Sequence, residues 1–550
     1  MSAAATRAAA LRDGTATAPS WRRELLVAAM VGGALFLVTL VPYIVGYVTA
    51  PPGRVFNGFF FLGDDGSTYI SEIRAGANGA WGWSDPYVSR PVGAPVLLFM
   101  LYVLTGKLVA ITHLPVFVAF HFARLTGAVA LVLAARRLAA AALPSGRTRL
   151  VAVTLGLVGS GAGYLLPLAG AILGRADILG QPLSELDLHI PEISGLFSML
   201  TFPHFAWAAA LIAFAVVELM LLASSSGARV PPATVVRAAI SMLALTFIHP
   251  QMLVVLFLLA VVMVVAFRTG PRRVAWMLVP FAICSPAFLY FAYILTSDPV
   301  VSAYARQWQQ GPYAVLPTLF AFGFPLVLAV AGVIVGRRRL TPPQLVLAAW
   351  AGLVLVLLYL PAPVSIQRRL FDGIFLPIGV LAALGVEVLA RRRQGVHASR
   401  RVAVYAVAAC TVTSLLLLAA PVSMAAARIP DLYLDDSEAQ AMDWLGGQVG
   451  QGTPPAVMCV SGTGLFIPAR AGWRVYTGNY ALTIDSAARD RAAAAAIRAG
   501  GNTLVDLMRA QDTGFLFVGP RERASGVGPI DSALQAVYDR DGVQVYQLRG

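Results

Sequence analysis

Two adjacent carboxylates, Asp64 and Asp65, stand in the run Phe61-Leu62-Gly63-Asp64-Asp65-Gly66-Ser67-Thr68-Tyr69. Three uses are open to such a pair. One Asp can act as general base toward an acceptor hydroxyl. Both can offer oxygen ligands to a divalent ion. Or one can cap the helix suggested by residues 67–74. The run Trp81-Gly82-Trp83-Ser84-Asp85-Pro86-Tyr87 follows, and its rings suit stacking on a sugar or an interfacial belt equally well. A second piece, Gln367-Arg368-Arg369, is dibasic. The Arg guanidinium is a rigid fork of donors that matches phosphate, with a lipid-linked phosphate as the natural partner; snorkelling to lipid head groups is the structural alternative. Two histidines stand beside prolines, in Pro203-His204 and His249-Pro250. Each could touch a phosphate or carboxylate in a cavity, or serve as a satisfied residue at a helix end. Arg124, with His121, lies inside an apolar run, where an ionisable group is expensive and needs a partner or a cavity. It reads as a tie between helices.

The elements that position these residues follow from composition. Of 550 residues, 58% are hydrophobic and only 12% charged, about half the usual charged share of roughly 25%. The apolar residues come in runs near 20, each long enough to cross a hydrocarbon layer of roughly 30 Å. Disorder, collagen, coiled coil and a disulfide scaffold are excluded. The net charge of +14 comes almost wholly from Arg, since Lys107 is the only lysine. No basic stripe with interleaved aromatics accompanies it, so no nucleic-acid groove is expected. Cys284, Cys410 and Cys459 share no metal or redox spacing. There is no His-Glu-x-x-His zinc pattern, no Gly-Lys-Ser/Thr phosphate loop and no Gly-x-Ser-x-Gly elbow.

Residues 1–24 form a polar tail with four Arg, and the run 25–48 is too long for a signal-peptide core, so it reads as an uncleaved first span. A long first outer loop, 49–113, includes an apolar stretch, 94–111, assigned to the interface. Further spans fall near 114–135, 150–172, 201–223, 238–249, 250–267, 274–295, 314–336, 343–361, 370–390 and 402–422. With the 94–111 stretch at the interface, the pieces between spans hold 21 Arg inside and 8 outside up to residue 430. Making it a span would invert every later assignment against the positive-inside rule. The fold class is therefore a polytopic α-helical membrane protein with about eleven transmembrane helices over 25–429. Its N-terminus is in the cytoplasm, and 430–550 form an extracytoplasmic α/β domain. Strands are expected at 456–460, 514–518 and 543–548, and helices at 485–499, 503–510 and 531–538. The 238–249 span is short and breaks at Phe247-Ile248-His249-Pro250-Gln251.

This layout resembles the integral-membrane GT-C superfamily of glycosyltransferases, which includes protein O-mannosyltransferases, aminoarabinose transferases and arabinofuranosyltransferases. The likeness rests on a first outer loop bearing Asp64-Asp65, an interfacial helix after it, an outer dibasic site at Arg368-Arg369 and a C-terminal extracytoplasmic domain. Asp64-Asp65-Gly66 with Tyr69, and Asp85-Pro86-Tyr87, resemble bacterial members. The resemblance implies a plasma-membrane enzyme with a polyprenyl-phosphate-linked sugar as donor and a glycan, lipid or protein hydroxyl as acceptor. Asp64 or Asp65 would be the base, and Arg368 and Arg369, with Gln367, His204 and His249, would hold the lipid phosphate. Tyr69 would contact substrate, and Asp85 is a weaker candidate for acceptor or metal. Some relatives use a divalent ion, Mg or Mn, and others do not, so Asp64 and Asp65 stand as its ligands if one is present. A transporter or lipid flippase would call for internal repeats and intramembrane acids, and neither is found. A non-catalytic envelope scaffold would tolerate loss of the Asp pair.

Overall fold

A long apolar run satisfies its backbone in lipid only as a helix, and the apolar runs of this chain are helical. The computed structural model describes residues 21–224, 231–307, 312–337, 339–361, 367–391, 396–448 and 456–549. Among them five helices are long and apolar enough to cross a membrane: Arg22–Val48, Val116–Ala142, Pro203–Ser224, Pro271–Ser297 and Val315–Gly336. The pair Arg400–Cys410 and Val412–Ala426, bent by 42°, makes a sixth if it is one span. Met100–Thr112, Pro232–Thr246, Met252–Phe267 and Pro342–Leu357 are apolar but shorter. Residues 1–20 of the expected tail, with Arg229, Arg338, Arg392 and Arg393, lie outside the described residues, as does the side chain of Arg368.

The described chain forms two compact units. The first comprises Met1–Leu40, Ala123–Phe288 and Gly311–Ala420. Within it the helix Pro203–Ser224 is buried on nearly all sides. Its small residues, among them Ala206, Ala209, Ala210 and Ala213, let neighbouring helices approach closely. Glu218, near the end of that helix, takes a two-pronged contact from Arg237 at 2.8 and 2.9 Å. Arg124 donates to the carbonyls of Met199 and Leu200, both at 2.9 Å, and to Thr39 Oγ1 at 3.1 Å. It satisfies the C-terminal carbonyls of the helix Gly195–Leu200 and ties it to the first helix, so its place is structural.

One expected span is broken. The run 150–172 divides into Gly146–Val158 and Leu165–Leu173. Glycines 159, 161 and 163 stop the helix, and the second long break, between Cys410 and Val412, supplies the missing partners. Ser160 N donates to Cys410 O at 2.7 Å, Thr413 Oγ1 to Gly161 O at 2.9 Å, and Ser414 Oγ to Val158 O at 2.8 Å. Non-helical backbone survives at such a place because protein surrounds it.

The second unit comprises Val41–Phe122, Leu289–Gln310 and Pro421–Gly550. Compactness thus groups the first loop with the C-terminal residues, across the linear boundary drawn at 429/430. The strand Arg54–Phe56 pairs antiparallel with Tyr433–Asp435. A four-stranded sheet follows: Ala456–Met458 lies parallel to Thr513–Val518, which is antiparallel to Val543–Leu548, itself paired with Leu534–Arg540. The helices Ser486–Ala499 and Gly501–Ala510 bury Ile497, Leu504 and Met508 against Met458 and Leu516. The helix expected at 531–538 is instead the strand Leu534–Arg540. The Asp541-Gly542 turn, with φ of 48° and 77°, folds it back on Val543–Leu548, the hairpin signal that an Asp-Gly pair carries.

In the first loop two helices cross closely. Gly63–Ala77 packs on Met100–Thr112, the helical core of the stretch expected at the interface. A Cβ on Gly76 would lie 2.2 Å from Val103 O, and one on Gly106 would lie 2.1 Å from Ile73 O. Only glycine permits that approach, and it sets where the Asp64-Asp65 end of the first helix sits.

Candidate active site

Asp64 and Asp65 occupy the first turn of Gly63–Ala77. The helix is entered through Leu62 in the left-handed region, φ 50° and ψ 49°, and no side chain caps it. The capping use therefore falls away, because both carboxylates lie inside the helix. Left-handed backbone at a bulky residue stores on the order of 1–3 kcal/mol and clusters at functional positions. Both Asp residues are half-buried. Asp65 is engaged by a neighbour, whereas the Asp64 carboxylate has no partner among the described residues. Burial holds the Asp64 carboxyl above the usual carboxylate range.

The backbone of Asp64 is pinned. Its carbonyl accepts from Thr68 Oγ1 at 3.0 Å and from Asn479 Nδ2 at 3.3 Å. Thr68 Oγ1 lies 2.9 Å from the Tyr87 hydroxyl. Tyr69 is buried and stacked on Tyr102, with centroids 4.2 Å apart and planes 5° apart. It thus packs one helix on the other.

Two turns along the same helix, Glu72 is buried beside Asp85. Asp85 Oδ1 accepts from Tyr87 N at 2.8 Å, while Oδ2 has no hydrogen bond. Burial, and secondarily Asp85, pushes Glu72 well above the usual range. Burial raises Asp85 to about 7, against the pull of the Tyr87 N–H and the Arg489 charge. Asp85 is thus an interior residue that shapes the loop. Because these carboxyls bind protons more tightly folded than unfolded, their contribution to folding stability is fully present below the usual carboxylate range and is lost as pH rises toward about 7. Each such group contributes a slope of at most about 1.4 kcal/mol per pH unit. Thermal unfolding in detergent should show a higher Tm at pH 5 than at pH 7.5. Asp85→Asn, which keeps the Oδ1 acceptor, should shrink that difference; an unchanged difference would place the titrating proton elsewhere.

The remaining candidates lie in the first unit. Pro203 starts one helix with His204 in its first turn. His249 sits in the non-helical turn between Pro232–Thr246 and Met252–Phe267, where the following Pro250 disfavours helix. The two rings meet edge to face, centroids 5.6 Å apart. The short helix Gln367–Phe371 adds two charges. Arg369 Nη1 contacts Glu192 Oε1 at 3.1 Å, and Asp372, just past the turn, lies against His249 Nδ1. Glu192, Asp372, His204 and His249 are all buried. Glu192 Oε2 and both Asp372 oxygens lack aligned hydrogen bonds. Gln367 Nε2 donates to Leu360 O at 3.3 Å, leaving its Oε1 without a partner. The cluster combines two buried carboxylates, a guanidinium and two imidazoles.

No protein-family model matches the chain, and no curated protein is similar to it in sequence. Solved structures match its fold at low identity. Arabinofuranosyltransferase AftD from Mycobacteria superposes with a TM-score of 0.54 and 17% identity, over 96% of this chain and 40% of that one. ArnT from Cupriavidus metallidurans, in the apo state, gives 0.53 and 13%, over 94% of this chain and 98% of that one. The oligosaccharyltransferase AglB from Archaeoglobus fulgidus, in complex with an inhibitory peptide and a dolichol-phosphate, gives 0.51 and 11%, over 88% and 69%.

The chain has the GT-C fold. With this fold and five helices, among the described residues, long and apolar enough to cross a membrane, it is a multi-pass membrane protein. Asp64 and Asp65 occupy successive positions in the first turn of the helix. Successive helical residues point about 100° apart and do not face each other. Among the described residues no group of three or more His, Cys, Asp or Glu side chains is arranged to hold a metal ion. Three residues of the two clusters escaped sequence reasoning: Glu192, Asp372 and Asn479. Asp372 stands three residues after Arg369 in a dibasic piece already singled out, the one signal that could have found it.

Proposed function

We propose that the protein is a glycosyltransferase that moves a sugar from a polyprenyl-phosphate donor to an acceptor hydroxyl at the outer face of a bacterial plasma membrane. The observation that carries this is the half-buried, unpartnered Asp64 carboxylate at a helix start in a GT-C fold. AglB, a fold neighbour, is solved with a dolichol-phosphate, which supports a lipid-phosphate donor. In this reading the acceptor oxygen attacks the anomeric carbon as Asp64 takes its proton. The bond from that carbon to the phosphate oxygen breaks, and its electrons stay on the phosphate. Arg369 and Arg368 stabilise the charge that develops there, the kind that preorganised donors serve best, with His204, His249 and Gln367 at its border. The reading includes eleven spans, an N-terminus inside and the C-terminal residues outside. The acceptor is a glycan, lipid or protein of the cell envelope.

The test is transfer of labelled sugar from a panel of polyprenyl-phosphate sugars to envelope acceptors by the purified chain, with and without chelator. Turnover with at least one donor is expected. No turnover with any, together with unchanged envelope glycans in a deletion strain, would overturn the reading in favour of a transporter or a scaffold.

A further inference from the structure

The C-terminal residues reach the candidate base through one side chain. Asn479 is 2% exposed. Its Oδ1 accepts from Ala481 N at 2.8 Å and Leu482 N at 3.4 Å, which fixes the orientation of the amide. Its Nδ2 therefore points the other way, donating to Asp64 O at 3.3 Å and Thr68 Oγ1 at 3.1 Å. The loop that presents it is braced from three sides. Thr483 N donates to Asn479 O at 2.8 Å, and Gly478 N donates to Thr483 Oγ1 at 3.1 Å. Gln307, at the end of Pro299–Gln307, donates to Thr483 O at 2.9 Å and accepts from Asp485 N at 2.8 Å. Tyr87 packs on Gly478 so closely that a Cβ there would lie 2.4 Å from its ring. The acceptor half of the amide thus builds the loop, and the donor half is spent wholly on the turn that carries Asp64.

We propose that Asn479 is the positioning residue for Asp64, and that the C-terminal α/β layer serves transfer by holding this amide against the start of the Asp64 helix. The inference rests on the reading of Asp64 as base. Asn479 touches no reacting atom. It fixes the backbone from which the carboxylate projects, and a displacement near 1 Å at such a group can cost about 10²-fold in rate. The Tyr87 hydroxyl lies within electrostatic reach of Asp64, and of Asp85 and Glu72 deeper in the loop. Among the described residues no cation offsets the effect of burial on Asp64.

Two substitutions separate positioning from folding. Asn479→Asp keeps the Oδ1 acceptor that the loop needs and removes the donor; Asn479→Ala removes both. With a working donor, both variants should lose roughly 10–10²-fold in kcat while binding undecaprenyl phosphate as the wild type does. The acid limb of the kcat profile should move in opposite directions. It should fall in Asn479→Ala, as Asp64 gains water, and rise in Asn479→Asp, as a second negative charge lies against it. Amide exchange should quicken over residues 62–68 in both variants and stay unchanged over residues 504–508. Wild-type kcat in both variants would overturn the proposal, and so would a loss with an unmoved acid limb. A loss accompanied by faster exchange over 504–508 would also overturn it, by showing a merely structural role. If the wild type itself turns over no donor, the transferase reading fails instead, and the exchange over 62–68 still decides whether Asn479 holds that turn.

Discussion

Asp64→Asn is expected to lower turnover by about 10²–10⁴-fold, the range that loss of a general base spans, with binding of undecaprenyl phosphate unchanged. Asn cannot take the acceptor proton, yet it matches Asp in size and leaves the helix start intact. Asp65→Asn should cost less, because Asp65 points elsewhere around the helix and is engaged there. The pH profile gives a second check. The base must be ionised, and burial holds Asp64 above the usual carboxylate range, so activity should rise with pH through that raised value. Single-turnover rates with both variants, measured beside donor affinity, decide the matter. A larger loss in Asp65→Asn would transfer the base role to the neighbour, and near-wild-type rates in both would remove the pair from the chemistry.

Arg369→Ala is the second change with a large expected effect, and it acts in two ways. Removing a donor that stabilises developing charge should cost about 10²–10³-fold in kcat. It also strands Glu192, which is fully buried and contacts Arg369. An uncompensated buried carboxylate should cost about 3 kcal/mol in stability, the low end for a buried pair, because Arg369 is 27% exposed. The two effects come apart in the double variant Arg369→Ala with Glu192→Gln. Its thermal stability should recover, since no unpaired charge remains inside, while its turnover should stay low. If turnover recovers as well, the role of Arg369 is only to neutralise Glu192, and phosphate stabilisation belongs elsewhere.

Much of this was legible in the amino-acid order because it is local. Each apolar run announces its helix, and the adjacent pair Asp64-Asp65 after the first run marks a site by residue type alone. The strand Leu534–Arg540 was also announced locally, by Asp541-Gly542, but its buried residues, Leu534 and Tyr538, stand four apart, the spacing of a helix face. What could not be read is long-range. Arg369 meets Glu192 across 177 positions, and Asn479 meets Asp64 across 415. Neither Glu192 nor Asn479 sits in a pattern that separates it from other loop residues. The surroundings of Tyr69 and Asp85 were equally unreadable. Only packing reveals that Tyr69 is a stacking partner of Tyr102 and that Asp85 is interior.

The two helix breaks that satisfy each other, near Ser160 and Cys410, bear on how the chain is made. They are 250 residues apart. At a synthesis rate of about 5–20 residues per second, the first break waits roughly 10–50 s before the second leaves the ribosome. During that interval the carbonyls of Val158 and Gly161 lack the hydroxyl donors that Ser414 and Thr413 give them in the folded chain. Insertion of this chain is therefore not a simple succession of independent spans. The native partners of the Gly159–Gly163 segment arrive only with the late helices, so a chain truncated before Cys410 leaves backbone groups of that segment without them.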